Sequence, residues 1–202
     1  MSQPNLHSQE FLRYNKLAIA FHWITAALFV VLYVAVYYRI WFTHRGEPEN
    51  ITAIRYHTFA GLLVGLIAIL RLVWHRVAPP PVFAPGPPIE HVAAKAMHYV
   101  LYAFMILMPA TGYLGLHAPL GFFDIPKFPD TALYHWLVTE RLGLTWEQFE
   151  APLDWIHHKM GAFVIWVLIF IHASAALYHH YARHDDVLSR MLPTIRPRRL
   201  SK

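Results

Sequence analysis

The chain has 202 residues, of which 56% are apolar and 15% aromatic, with no cysteine and a formal net charge of +5. That composition is too apolar for an ordinary soluble domain of this length and points to the membrane class. The absent cysteines exclude disulfides, iron–sulfur ligation and thioether-attached haem, which leaves histidine and methionine as the soft or borderline ligands.

The first 16 residues are polar and carry no cleavable signal pattern. A span over 17–38 follows, free of Asp, Glu, Lys and Arg, and holds His22. The second span, 54–74, meets charge only near its ends, at Arg55 and Arg71, and holds His57. A proline-rich stretch after it, Ala78 to Pro88, predicts a stiff loop. The third span, 93–116, tolerates Pro109 and Gly112 as local irregularities. An outer loop over 117–152 comes next, with a short amphipathic helix expected around 132–142. The fourth span, 153–182, carries His158 and His172. The fold class expected is therefore an all-α integral membrane protein, a single four-transmembrane-helix bundle.

Basic residues orient it. Eleven of the 17 Lys and Arg fall on the side of the two termini, and eight of the 12 acids fall on the other. Positive charge collects on the cytoplasmic side, so both termini are cytoplasmic and the acidic loop is outside. The basic excess is then an orientation and lipid-contact signal. With no reader motif beside it, no nucleic-acid partner is expected.

Ionisable groups inside a span are costly and mark function. Fourteen residues separate His158 from His172, a rise of roughly 21 Å in an α-helix with the direction returning to within about 40°. One face of one helix thus offers two imidazoles near opposite sides of the bilayer. Depth pairs His22 with His172 on the inner side and His57 with His158 on the outer side. Two bis-histidine sites suit two six-coordinate b haems and electron transfer. Gly61 and Gly65 follow His57 at i+4 and i+8 and read as clearance for a porphyrin or as close helix packing. His98 rivals His22 as an inner ligand or contacts a propionate or quinone. His157 competes with His158 but points about 100° away on a regular helix. His179 and His180 read as cytoplasmic-rim residues, either at the surface or as a proton-handling pair.

The segments Arg13-Tyr14 through Phe21-His22-Trp23, Tyr56-His57 with Gly61, Ala94-Lys95 through His98, and Thr111-Gly112 resemble the bacterial di-haem cytochrome b561 family. Ile156-His157-His158 through Ile171-His172 and the closing Tyr178-His179-His180-Tyr181 resemble it too, and 188–193 resembles its superoxide oxidase branch. The resemblance implies a multi-pass protein of the bacterial inner membrane that oxidises superoxide to dioxygen on the periplasmic side. Electrons would pass through two b haems to ubiquinone, with a quinone site near the inner haem that includes His179. The alternative is an electron-carrier subunit between quinone and a redox partner protein. For superoxide, an anion, Arg55 and Lys159 beside the outer ligands are the candidate steering cations; otherwise both snorkel at the membrane edge. Acidic outer loops, and an outer loop longer than that branch suggests, stand against superoxide as the substrate.

Overall fold

The computed structural model describes residues 13–81, 86–116 and 126–193. His7, His117, the basic tail cluster beyond 193 and part of each long loop lie outside the described residues.

Four helical stretches are long and apolar enough to cross a membrane. The first, α1 (Lys16–Phe42), starts where the Asn15 side chain accepts the Leu17 N–H at 2.8 Å, satisfying one orphan donor of the first turn. Helix α2 (Pro48–Val77) and α3 (Pro88–Leu114) each open on proline, which needs no N–H partner there and has its φ already set. The fourth span joins α4 (Trp146–Lys159), a π-helical segment (Met160–Val164) and α5 (Ile165–Tyr181). Its start is fixed by a capping box in which Thr145 and Gln148 bond each other's backbone N–H. Apolar periodicity marks only the lipid-buried part of each helix. Capping chemistry carries α2, α3 and α4 well past the outer or inner edges expected, to Pro48, Pro88 and Trp146.

The spans face outward with large apolar side chains, among them Val34, Leu66, Tyr99, Val167 and Phe170. In lipid that face is matched by acyl chains. Between helices the buried residues are small: Ala18, Ala35, Ala53, Ala60 and Ala68, with Val64, Tyr102 and Met105 beside them. Without a hydrophobic drive between helices in lipid, small residues let backbones approach and gain dispersion contacts. Gly65 belongs to this set. A Cβ there would meet the Pro109 ring at 3.3 Å, so the glycine serves α2–α3 packing. Gly61 lies against Leu32 at an ordinary 3.7 Å.

Two caps close the bundle. Outside, Phe128, Tyr134 and Val138 are buried against Tyr113, Trp146 and Phe149. The short helix expected there is present, as Ala132–Tyr134 continued by a π-helical His135–Arg141. Inside, the chain after α5 returns beneath α1. The Trp23 indole N–H donates to the Met191 carbonyl at 2.7 Å, and Arg13 donates to the Leu192 carbonyl. Arg190 pairs with Asp186 at 3.0 Å, and Arg183 ties α5 to the start of α3 through Glu90 at 2.6 Å.

Candidate haem sites

On the inner side His22 of α1 and His172 of α5 face each other, ring centroids 6.2 Å apart. His98 of α3 also approaches His172, at 5.6 Å and nearly perpendicular. Its Nδ1–H is held by the Ala94 carbonyl at 2.6 Å, one turn back on its own helix. The inner half thus brings together the expected pair and its expected rival.

On the outer side the partner of His57 is His157, with ring centroids 6.0 Å apart. His158 is not brought to His57. Its side chain is 68% exposed, with Nε2 3.7 Å from the Asp154 carboxylate. The physical reason lies in the five-residue π segment Met160–Val164 between these histidines and His172. An i→i+5 turn takes one residue more than an i→i+4 turn. Fifteen residues through that segment therefore turn about as far as fourteen in a regular helix, and His157 occupies the direction expected for His158. The Tyr33 hydroxyl donates to the Gly161 carbonyl inside the segment at 2.8 Å.

Both outer imidazoles are oriented by the backbone. His57 Nδ1 is 3.1 Å from the Leu32 carbonyl, and His157 Nδ1 is 3.1 Å from the Met108 carbonyl, with the Thr111 hydroxyl at 3.3 Å. A carbonyl only accepts, so each Nδ1 carries the proton and each Nε2 presents its lone pair. Such second-shell bonds fix the tautomer and raise the basicity of metal-ligating histidines. The His157 ring also sits where a side chain on Gly112 would be, since a Cβ there would lie 2.8 Å from its Cε1. Imidazoles bonded to one iron from opposite sides, with metal–nitrogen bonds of about 2 Å, place their centroids roughly 6 Å apart. The His22–His172 and His57–His157 couples lie near that separation, and the His98–His172 contact, at 5.6 Å, is close to it as well.

Of the candidate cations, Arg55 has its Nε buried without a hydrogen-bond partner, whereas Lys159 is exposed. Arg39, from α1, donates to Asn50 at 3.3 Å on the same outer side. His179 is engaged by the inner cap, its Nδ1 2.5 Å from the Asp185 carboxylate. That carboxylate also accepts the Val187 N–H at 3.1 Å. Sequence reasoning missed a recess at the inner end, lined by Tyr14, Arg71, Trp74, His75 and Met191. Burial pushes the Tyr14 phenol up in pKa, with the Arg190 guanidinium opposing, so it is a neutral hydroxyl at neutral pH. Its signal was present in the sequence as Arg71 inside an otherwise apolar span.

The family model of prokaryotic cytochrome b561 matches residues 13–194. The chain belongs to the prokaryotic cytochrome b561 family. It is 31% identical to cytochrome b561 homolog 1 of Escherichia coli (strain K12) over 188 residues, covering 90% of this chain and 97% of the relative. Homolog 2 of the same organism is 29% identical, with 89% and 91% covered. A probable superoxide oxidase CybB of Yersinia pestis is 25% identical, with 90% and 96% covered. As a cytochrome b561, the chain is a multi-pass protein of the bacterial inner membrane, a haem-b electron carrier of oxidoreductase type.

Proposed function

We propose that this cytochrome b561 binds two b haems and moves electrons from superoxide on the periplasmic side to ubiquinone. The observation that carries the reading is the pair of imidazole couples, one in each half of the bundle, each taking one histidine from the fourth span. His22 and His172 would hold the inner haem. His57 would hold the outer one with an imidazole from the His157–His158 pair, and in this fold His157 is the member that meets it. His158 takes that place where the fourth span runs as an unbroken α-helix, with Asp154 one turn before it to orient its ring. When bound, the haem irons supply one-electron transfer.

The residues around each couple have separate tasks. Arg55 places a cation two residues before His57, which suits a small anion arriving near His57. Cations in such a place raise the encounter rate of an anion, and salt weakens the effect. Quinone reduction consumes protons, and the His179–Asp185 pair at the cytoplasmic end can hold and pass one. The superoxide oxidase likeness of the Yersinia relative supports the donor assignment.

A second reading is an electron carrier fed by a redox partner protein. The folded outer cap favours it, because Leu133, Trp136 and Leu142 stay exposed on that cap. The test is direct. Purified full-length chain is mixed with superoxide in the absence of any other protein, and haem reduction is followed. Reduction near the diffusion limit, reversed by ubiquinone, is expected; a chain that superoxide leaves oxidised belongs to the second reading.

A further inference from the structure

The recess at the inner end has three features that ask for the same ligand. The Trp74 indole N–H is buried there with no hydrogen-bond partner. Arg71 lies over the Tyr102 ring, its guanidinium carbon 5.2 Å from the centroid, and lines the recess. His75 is 3.5 Å from the Tyr102 hydroxyl through Nε2. Donors and positive charge converge from α2, the entry to α1 supplies the Tyr14 hydroxyl, and Met191 of the returning chain forms the floor. Among the residues lining the recess none is a carboxylate.

Its position is equally specific. Phe21, the neighbour of His22, lines the recess. Arg71 is close enough to act electrostatically on both His22 and His172. Arg71 and Trp74 are three residues apart on one helix face, with Trp74 the nearer to the cytoplasm. The recess therefore adjoins the inner couple and extends from it toward the cytoplasm. An ionised carboxylate is acceptor-only and takes two or more donors, best from Arg. A carboxylate tethered to a group held between His22 and His172 is an acceptor of that kind.

We propose that the Arg71–Trp74 recess binds a propionate carboxylate of the inner haem, fixing the ring's rotation about the His22–His172 axis and tuning its potential. The inference rests on the two-haem reading, which the haem content of the unaltered protein tests on its own. Arg71 and Trp74 are positioning residues here. The charged and titratable groups facing the carboxylate are Arg71 and His75 from α2, Tyr14 before α1, Tyr102 and His98 from α3, and Arg190 from the inner cap.

The experiment compares the full-length protein with Arg71→Gln and Trp74→Phe, each loaded with haem or with haem whose two propionates are methyl-esterified. Haem content and the midpoint potential of each haem are measured from pH 5 to pH 9, about the range in which a weakly held carboxylate near a redox centre titrates. With ordinary haem, Arg71→Gln is expected to lower the inner midpoint and make it depend on pH where the parent is flat. The outer midpoint stays put. Trp74→Phe does the same to a smaller degree, and Arg71→Lys restores part of the shift. With the esterified haem a uniform shift from the lost cation remains, but the pH dependence does not appear, because the titrating carboxylate is gone. The same pH dependence with haem and with its ester would overturn the proposal. So would inner midpoints that ignore both substitutions while ubiquinone affinity falls, since the recess would then hold a quinone oxygen.

Discussion

The inner and outer halves of this bundle solve one problem with different local geometry. Inside, His172 lies on regular α-helix and meets His22, the residue paired with it by depth. Outside, a π segment intervenes and turns His157, not His158, toward His57. The inner imidazole couple has a third histidine, His98, in reach; the outer couple has backbone carbonyls holding both rings. Residue spacing predicts a helix face only while the hydrogen-bond period stays constant. One i→i+5 turn exchanges two adjacent residues without changing a single side chain.

The largest expected effects break one half and spare the other. His22→Ala should leave one haem per chain, whereas His98→Ala should keep two, measured by pyridine haemochrome against protein mass. If His98→Ala empties a site and His22→Ala does not, the inner couple is His98 with His172. Outside, His157→Ala and His158→Ala should differ sharply. Only one of them should lose the outer haem, and the contacts seen here select His157. A loss in His158→Ala instead would show that the π turn is absent from the haem-bound protein.

Smaller changes sharpen the same contrast. Gly112→Ala places a methyl group where the His157 ring sits, 2.8 Å from Cε1. Overpacking of that kind costs about 1–3 kcal/mol, so thermal stability should fall and the outer haem's spectrum should shift while the inner one's holds. Tyr33→Phe removes the hydroxyl that bonds the Gly161 carbonyl in the π segment. The expected loss is about 1 kcal/mol, the usual net worth of one such bond, read as a lower Tm with both haems retained.

Much of this was legible in the sequence because lipid imposes simple rules. Apolar runs long enough to span gave four helices, and the bias of Lys and Arg gave their direction. His22, His57 and His172 each have an imidazole facing them, since a polar ring in a span must find a partner. Helix ends were read short because Thr145, Pro48 and Pro88 set them outside the apolar runs. The facing of His157 was hidden because no local residue announces a π turn; its nearest sign is Gly161, whose carbonyl Tyr33 takes from another helix. Gly65 was ambiguous for the opposite reason, since the same small side chain serves a cofactor or a neighbouring helix until Pro109 is seen against it. The inner recess is assembled from Tyr14, Arg71 and Met191, residues more than a hundred positions apart at the extremes. Arg71 within an apolar span was its one visible trace.

In the proposed arrangement the fourth span gives one imidazole to each of two haems at different depths. Haem content and reduced-minus-oxidised spectra of purified His172→Ala test it most directly. A fall from two haems to one per chain is expected, with the surviving haem still reduced by superoxide. A variant that keeps both haems, or a parent chain that holds only one, would contradict it.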